Sequence, residues 1–276
     1  MGRSQELDKE SVGKKQVPAQ CAIRITTKNK RRKMGTYQKE RPETIQQMFD
    51  AIADQYDRGN AILSFQLHRW WNRQLIEQVV VPNRPETLLD LCAGTGEIAF
   101  SYLKRFNEPR KAILLDFSRE MLSVAERKSG EIGLVKHQID YLQADAQEIP
   151  LDDESIDCVT VAYGIRNVKH PKKCFEEVFR VLKPGGNFGI LELTRPSNPI
   201  LRTFHALYLK LFIPLIGKMV LSNQNAYSYL QSSIKNFSSP TELSQQMQKC
   251  GFDQCATTPL SGGIATIICG SKPRRD

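Results

Sequence analysis

No stretch of this 276-residue chain approaches the roughly 18 uncharged apolar residues that a membrane-spanning helix needs. No apolar leader follows Met1, so export is not expected, and Glu6, Asp8 and Glu10 are out of keeping with an acid-poor transit peptide. There is no internal repeat. The seven cysteines include no C-x-x-C pair, and the four histidines (68, 137, 170 and 205) are dispersed. That spacing offers no metal centre and reads as reduced core thiols of a cytoplasmic protein. Surplus charge is scarce as well, outside one place. Residues 1–41 hold twelve Lys/Arg against four Asp/Glu, a balance of +8 out of the chain's +9, which leaves the other 235 residues close to neutral. The basic balance therefore belongs to a leader, with "KNKRRK" at Lys28–Lys33, and few large apolar residues to fold around. Residues 1–42 are expected to be a disordered extension. It suits contact with an anionic membrane surface, contact with nucleic acid, or plain solvation. The near-neutral body argues against a nucleic-acid partner.

What is present is a strong alternation from residue 43 to 276. "PETIQQMFDAIADQYD" reads as a helix from about Glu43, with Ile45, Met48, Phe49, Ile52 and Tyr56 near one face. "SFQLHRWWNRQLIEQVV" reads as a second helix capped at Ser64, completing a helical lid over 43–82. Apolar strands and helices then follow in turn. "ETLLDLC", "KAILLDF", "IDYLQAD", "SIDCVTVAYG" and "NFGILEL" are the strands. Ser118 and Gly130 bracket one intervening helix, and "KPGG" reads as a turn. "FDQCATTPL" and "GGIATIICGSKP" read as two strands that pair antiparallel at a sheet edge. The expected fold class is α/β, a doubly wound, mostly parallel sheet covered on both faces. Residues 196–237 break the alternation and read as a helical insertion. Its apolar residues, among them Phe204, Leu207, Leu211, Phe212, Ile213 and Leu215, suit a groove for an apolar tail or a bilayer surface. Packing of one helix face on the sheet is the simpler reading.

The chemistry centres on "LLDLCAGTGEIAF", residues 88–100. Gly94, Gly96 and Ala99 satisfy G-x-G-x-x-G/A, and Asp116 lies 20 residues past Gly96. That spacing is the dinucleotide fingerprint, so a nicotinamide-dependent oxidoreductase is one reading. The acids favour another. Asp90 precedes the loop and Glu97 follows its second glycine, which is unfavourable for a pyrophosphate dianion and suits a cation. S-adenosylmethionine carries an ammonium and a sulfonium, and its one carboxylate can use the loop amides. Asp116 can accept from both ribose hydroxyls. Asp145 can accept from the adenine amino group, while the Ala146 amide donates to a ring nitrogen. Each acid also has a plainer role open to it: Asp90 as a helix cap, Asp116 as support for the turn before Ser118, Asp145 in a surface turn.

Several stretches then carry a resemblance. "MFDAIADQYD", "LSFQLHRWW", "LDLCAGTGEIA", "DAQEIPLDDESIDCVTVAYGIRNV", "RVLKPGG" and "NAYSYLQSSIKNF" make the chain similar, from about Met48 to Lys272, to the UbiE/MenG family. These are C-methyltransferases of ubiquinone and menaquinone biosynthesis, within the class I S-adenosylmethionine-dependent methyltransferases. The resemblance implies a seven-stranded sheet with its last strand antiparallel, and methyl transfer to a ring carbon of a prenylated quinol. It implies cofactor contacts at Thr95, Asp116, Asp145 and Ala146. Some relatives have a serine contact where this chain has Ala162, so a side-chain bond there is not expected. Cys92 is expected to be packing.

For the chemistry itself, Arg166 and Asn167, just past the fourth strand, are candidates to orient the quinol oxygen and stabilise its developing charge. Pairing of Arg166 with an acid, and a turn-capping role for Asn167, are the alternatives. The sequence does not single out a general base: His68 and His205 are candidates, because imidazole titrates in the useful range, and a structural histidine is the commoner role for either. Tyr56 is a candidate to close over the cofactor. A protein with these features is expected in the cytoplasm, peripheral to the inner face of the membrane that holds its substrate. Methylation of another lipid or small molecule is compatible with the fold-level features.

Overall fold

The computed structural model describes residues 42–80, 82, 84–220 and 224–275. The basic leader lies outside them. Three helices come first: α1 (Pro42–Ile52), α2 (Tyr56–Leu63) and α3 (Leu67–Leu75), the last running on into a π-type turn at Ile76–Val80. The sheet strands are β1 (Thr87–Leu91), β2 (Lys111–Asp116), β3 (Gln138–Gln143), β4 (Ile156–Ala162), β5 (Leu182–Leu193), β6 (Asp253–Leu260) and β7 (Ala265–Ser271). Helices α4 (Glu97–Leu103), α5 (Arg119–Glu131), α6 (Pro171–Val181) and α9 (Pro240–Lys249) cover it. The insertion forms α7 (Pro199–Val220) and α8 (Gln224–Asn236).

The strand order is β3-β2-β1-β4-β5-β7-β6. β1 to β5 run parallel, and β7 is antiparallel to both β5 and β6. Alternate residues of each strand enter opposite cores. Leu88, Leu114 and Cys158 pack under α4, α5 and the Trp71–Val80 segment, while Leu89, Ile113 and Val159 pack under α6 and α9. Strands buried on both faces have no polar side, which is why they read as continuous apolar runs. The sequential order of the strands turns back at β1, where β2 lies on one side and β4 on the other. The crevice at the carboxyl ends of these strands is where such sheets bind ligands.

Local departures have local causes. The first helix breaks at a 3-10 turn over Ala53–Gln55 and restarts at Tyr56. Ser64 is not the N-cap residue of the next helix, although its hydroxyl accepts from the His68 amide at 3.4 Å. It closes α2, and α3 starts after Phe65 and Gln66, both in the left-handed region. Ser118 does cap α5, its hydroxyl accepting from the Met121 amide. The helix passes through Gly130, however, and the left-handed residue beyond its end is Gly133 (φ 70°). "KPGG" is not a free turn. It lies inside β5, where the pairing with β4 jumps from Ile156↔Leu182 to Cys158↔Asn187, so the extra residues are absorbed as an irregularity in the strand. The insertion differs from plain helix-on-sheet packing. Phe204, Leu207, Leu211 and Phe212 are all exposed. Tyr208 and Leu209 instead cluster with Leu63 and Leu230. The side chains of Ile213 and Leu215 lie outside those described.

Candidate functional site

The glycine loop is shaped by its backbone. Gly94 (φ 54°) and Gly96 (φ 83°) are left-handed, and a Cβ on Gly96 would lie 2.6 Å from the Phe100 ring and 2.9 Å from Leu114. A second close approach joins the ends of β1 and β4. A Cβ on Gly164 would lie 2.3 Å from that of Cys92, so only glycine fits. Cys92 (φ 53°) and Tyr163 (φ 58°), both non-glycine, also sit in the left-handed region at these strand ends. Such strain persists where surrounding structure fixes it, and it gathers at functional sites.

The acids converge as the spacing predicts. Asp116, at the end of β2, accepts from the Gly94 amide (2.8 Å) and the Ser118 amide (2.9 Å). The turn-supporting role is therefore real, but each carboxylate oxygen keeps a second lone pair for a ligand. Burial pushes Asp116 up to about 6, against the pull of these amides. Asp90 is buried; its Oδ1 accepts from the Thr160 hydroxyl at 2.8 Å, and its Oδ2 has no partner. Burial pushes Asp90 up to about 7. Glu97 is raised by burial too, and its Oε2 accepts from Asn72 Nδ2 at 3.1 Å. An orphaned buried carboxylate oxygen beside a second acid is a site for a cation. Asp90 and Glu97 line one lobe of the crevice with Thr95, Gly94 and Tyr56.

The neighbouring lobe is lined by Asp116, Phe117, Asp145, Ala146, Asn167 and Val168. Asp145 is exposed and accepts from the amide (2.9 Å) and side chain of Gln147, as in a surface turn, yet it borders this lobe with buried Ala146. A third lobe, lined by Phe49, Tyr56, Gly94, Asp116 and Asn167 among others, lies against both and shares Cys92 with them. Cys92 is partly buried beside the apolar core as expected, and it also faces ligand space. Thr95 is buried, and its hydroxyl donates to Asp57 Oδ1 at 2.5 Å. Lys128 donates to Asp57 Oδ2 (2.6 Å) and to the Thr95 carbonyl (3.2 Å), so α2 is latched onto the loop.

Beyond Tyr56 and Tyr163 lies a separate cavity, mostly apolar. Leu63, Trp71, Leu193, Leu209, Leu230, Ile234 and Ile264 line it, together with His68, Arg166, His205 and Tyr208. Arg166 is buried and paired at 2.5 Å with Glu192, which is itself fully buried. Burial works against the guanidinium's charge, but Glu192 more than offsets this and holds its pKa above the ordinary value. Its Nη1 also donates to the Tyr163 carbonyl, while Nε has no partner. Pairing with an acid and a place on the cavity wall thus coexist. Asn167 borders the cofactor-side lobes instead, and its Oδ1 accepts from the Tyr229 hydroxyl at 2.9 Å. His68 is buried, with its pKa lowered by burial and by Arg69 while Asp57 raises it. His205 is lowered by burial.

Sequence reading missed Glu192, Asn72 and Asp57. Glu192 carried a signal, an acid inside the apolar strand "GILELT". Asn72 lies four residues after His68 on one helix face, and it joins Tyr163 (hydroxyl to Oδ1, 3.0 Å) to Glu97. Nothing local marks Asp57, because its partners are 38 and 71 residues away.

Comparison with known proteins agrees with this geometry. Residues 35–272 match the model of the ubiE/COQ5 methyltransferase family. The chain is 52% identical over 242 residues to a demethylmenaquinone methyltransferase of Protochlamydia amoebophila, covering 88% of this chain and 100% of the relative. It is 34% identical over 233 residues to a ubiquinone/menaquinone biosynthesis C-methyltransferase of Proteus mirabilis, covering 84% and 92% of the two chains. A solved S-adenosylmethionine-dependent methyltransferase of Thermotoga maritima shares the fold, with a TM-score of 0.57 at 20% identity over 83% of this chain and 99% of that one. The loop spacing that also fits a dinucleotide enzyme is thus the methyltransferase form of the motif. The chain belongs to the ubiE/COQ5 methyltransferase family and is an S-adenosylmethionine-dependent methyltransferase.

Proposed function

We propose that the protein methylates a ring carbon of a prenylated quinol, with demethylmenaquinol as the acceptor. The observation that carries this reading is the apolar cavity that meets the acid-lined crevice at Tyr56 and Tyr163. A planar ring with an isoprenoid tail fits such a lining, and the two most informative relatives are named for quinone methylation. The full-length match at 52% identity favours the naphthoquinol head group over the benzoquinol one.

S-adenosylmethionine supplies an electrophilic methyl on its sulfonium. When it is bound, Asp90, with Glu97, would face its positive end; the Gly94, Thr95 and Gly96 segment would cradle its amino-acid part; Asp116 would accept from the ribose; Asp145 and Ala146 would hold the adenine. Asn167 closes the adenine side, and Tyr56 covers Gly94, to whose Cβ position its ring comes within 3.9 Å. At the acceptor, His68 takes the proton of the quinol hydroxyl: the O–H bond breaks and an N–H bond forms at Nε2. Arg166, steadied by Glu192, sets positive charge beside the oxygen as the ring carbon becomes nucleophilic. That carbon then bonds the methyl as its bond to sulfur breaks. Loss of the ring proton restores the aromatic system and His68 returns its proton to the oxygen, so one proton is released per turnover. Holding the reacting atoms about 3–3.5 Å apart, away from water, is the main task of the surrounding apolar walls.

The lid helices over 43–82 and the insertion over 196–237 roof the acceptor. Exposed Phe65, Leu67 and Trp70 on one, with Phe204, Leu207 and Phe212 on the other, support a reversible seat on the membrane that stores the prenyl tail. No helix among the described residues is long and apolar enough to cross it.

The test supplies labelled S-adenosylmethionine with reduced demethylmenaquinone analogue and, separately, with the reduced demethylated benzoquinol precursor. Label on the naphthoquinol ring carbon is the expected result. Label only on the benzoquinol reassigns the head group. No transfer to either, with S-adenosylhomocysteine still bound, redirects the enzyme to another acceptor.

A further inference from the structure

Between α2 and α3 lies one short polar chain. The Ser64 hydroxyl lies 2.6 Å from the Asn60 carbonyl and 2.7 Å from Nδ1 of His68. A carbonyl oxygen can only accept, so the single hydroxyl proton goes to Asn60. Turning that proton toward His68 would leave two oxygen lone pairs facing each other at 2.6 Å. Nδ1 must therefore carry the proton of the second contact. A neutral imidazole has only one, so Nε2 keeps its lone pair.

We infer that Ser64 is a positioning residue that holds His68 in the Nδ1–H tautomer, leaving Nε2 as the free proton acceptor beside the acceptor cavity. The inference rests on the quinol-methylating reading and on His68 as its base. It adds the residue that makes the base usable.

The surroundings agree. His68 lines the acceptor cavity, and its Nε2 lies 3.7 Å from Glu97 Oε2. That gap is too long for a hydrogen bond, so the lone pair is not consumed. It is short enough for Glu97 to stabilise an imidazolium once a proton arrives. The groups that face the ring from each neighbouring element are few. Asp57 on α2 and Glu97 on α4 favour its charged form, and adjacent Arg69 disfavours it. Arg166 and His205 share its cavity. Burial keeps the resting ring neutral, as a base must be. After the quinol proton moves to Nε2, both ring nitrogens donate, Nδ1 to Ser64 and Nε2 toward Glu97.

Imidazole nitrogen shifts of the full chain labelled with 15N-histidine read the tautomer directly, and His68→Asn assigns its signals among the four histidines. The expected wild-type pattern is a protonated Nδ1 and a bare Nε2 near pH 7.5. Ser64→Ala is expected to mix the tautomers and to lower kcat about tenfold, with KM for the quinol and affinity for S-adenosylhomocysteine shifted less than about twofold. Ser64→Thr keeps the hydroxyl and restores both the pattern and kcat. A purely structural role for Ser64 would lower the melting temperature without moving the tautomer. A bare Nδ1 in the wild type, or an unmixed tautomer and full kcat in Ser64→Ala, overturns the inference. Should Ser64→Ala not fold, the wild-type spectrum and Ser64→Thr decide it. Absence of methyl transfer by the wild type defeats the quinol reading alone, because the nitrogen shifts still report what Ser64 does.

Discussion

The two halves of the crevice are built on opposite plans. On the cofactor side, Asp90, Asp116 and Asp145 stand at or just past the carboxyl ends of adjacent strands; the backbone amides of Gly94 and Ser118 aim Asp116, and the Thr160 hydroxyl holds one oxygen of Asp90. On the acceptor side, side chains aim one another. Arg166 leans on Glu192, and His68 on Ser64. The first plan fixes geometry through the sheet and tolerates unpartnered charge that a ligand can use. The second pairs most of its polar groups with one another, the Arg166 Nε excepted, and leaves an apolar cavity between them. A small, highly charged ligand suits the first. A large, mostly apolar one that must enter and leave suits the second.

The largest effect is expected where the second plan is cut. Glu192→Ala leaves the Arg166 guanidinium buried without its carboxylate. Breaking a buried ion pair on one side costs about 3–5 kcal/mol. The midpoint of urea unfolding should fall accordingly, with an unchanged slope. A shift below about 1 kcal/mol would mean that water reaches Arg166, and that the pair is not the brace described here.

Next comes the first plan. Asp116→Ala removes a carboxylate that two amides hold and that the ribose would share. Hydrogen bonds to a charged group are worth about 1.5–3 kcal/mol each, so affinity for S-adenosylhomocysteine should drop by roughly a hundredfold. Isothermal titration measures it. Unaltered affinity would reduce Asp116 to turn support and sharpen the contrast in the other direction.

These expectations also mark what a reader of the sequence could see. The cofactor half was legible because a strand, a glycine turn and a strand-end acid are local patterns, each repeated at the sheet's register. Asp90, Gly94, Gly96 and Asp116 fall where spacing puts them. The acceptor half was not, since its partners are far apart in the chain: 26 residues from Arg166 to Glu192, 145 from Leu63 to Tyr208. Periodicity also erred in characteristic ways. Ser64 looked like an N-cap because capping serines begin helices, but here its hydroxyl bonds back to Asn60 and ends one. "KPGG" looked like a turn because nothing local shows that β4 will pair across it. Glu192 was the exception, a long-range partner with a visible mark.

A pH experiment probes the first plan more finely. Asp90 and Asp116 are raised by burial to about 7 and about 6, so the folded protein holds their protons more tightly than the unfolded chain does. Their contribution to stability without ligand is fully present below the ordinary carboxylate range and is lost as pH rises through 6 to 7. A cation reverses the sign by favouring the ionised acids. Stabilisation by S-adenosylmethionine should therefore grow between pH 5.5 and 7.5, and grow less for S-adenosylhomocysteine, which lacks the sulfonium charge. Asp90→Asn keeps an acceptor for Thr160 and should flatten the unliganded melting curve against pH. Equal pH slopes for the two ligands would remove the sulfonium from the vicinity of these acids.

The smallest expected change in stability falls on the outer surface of the acceptor half. Phe65 is 68% exposed and Phe212 is 51% exposed, so Phe65→Ser with Phe212→Ser removes only part of each ring's burial and should alter folding by about 1–2 kcal/mol. Yet these rings flank Tyr208, with centroids 6.0 and 5.8 Å from its own, and continue the cavity wall outward. If the apolar plan extends to a membrane, co-sedimentation with vesicles should weaken, and KM should rise for a long-chain quinol held in them. Turnover of a short-chain, water-soluble analogue should not change, because that substrate reaches Arg166 and His68 without crossing the surface. Loss with both substrates would place the rings in the cavity's own structure; loss with neither would confine the second plan to the interior.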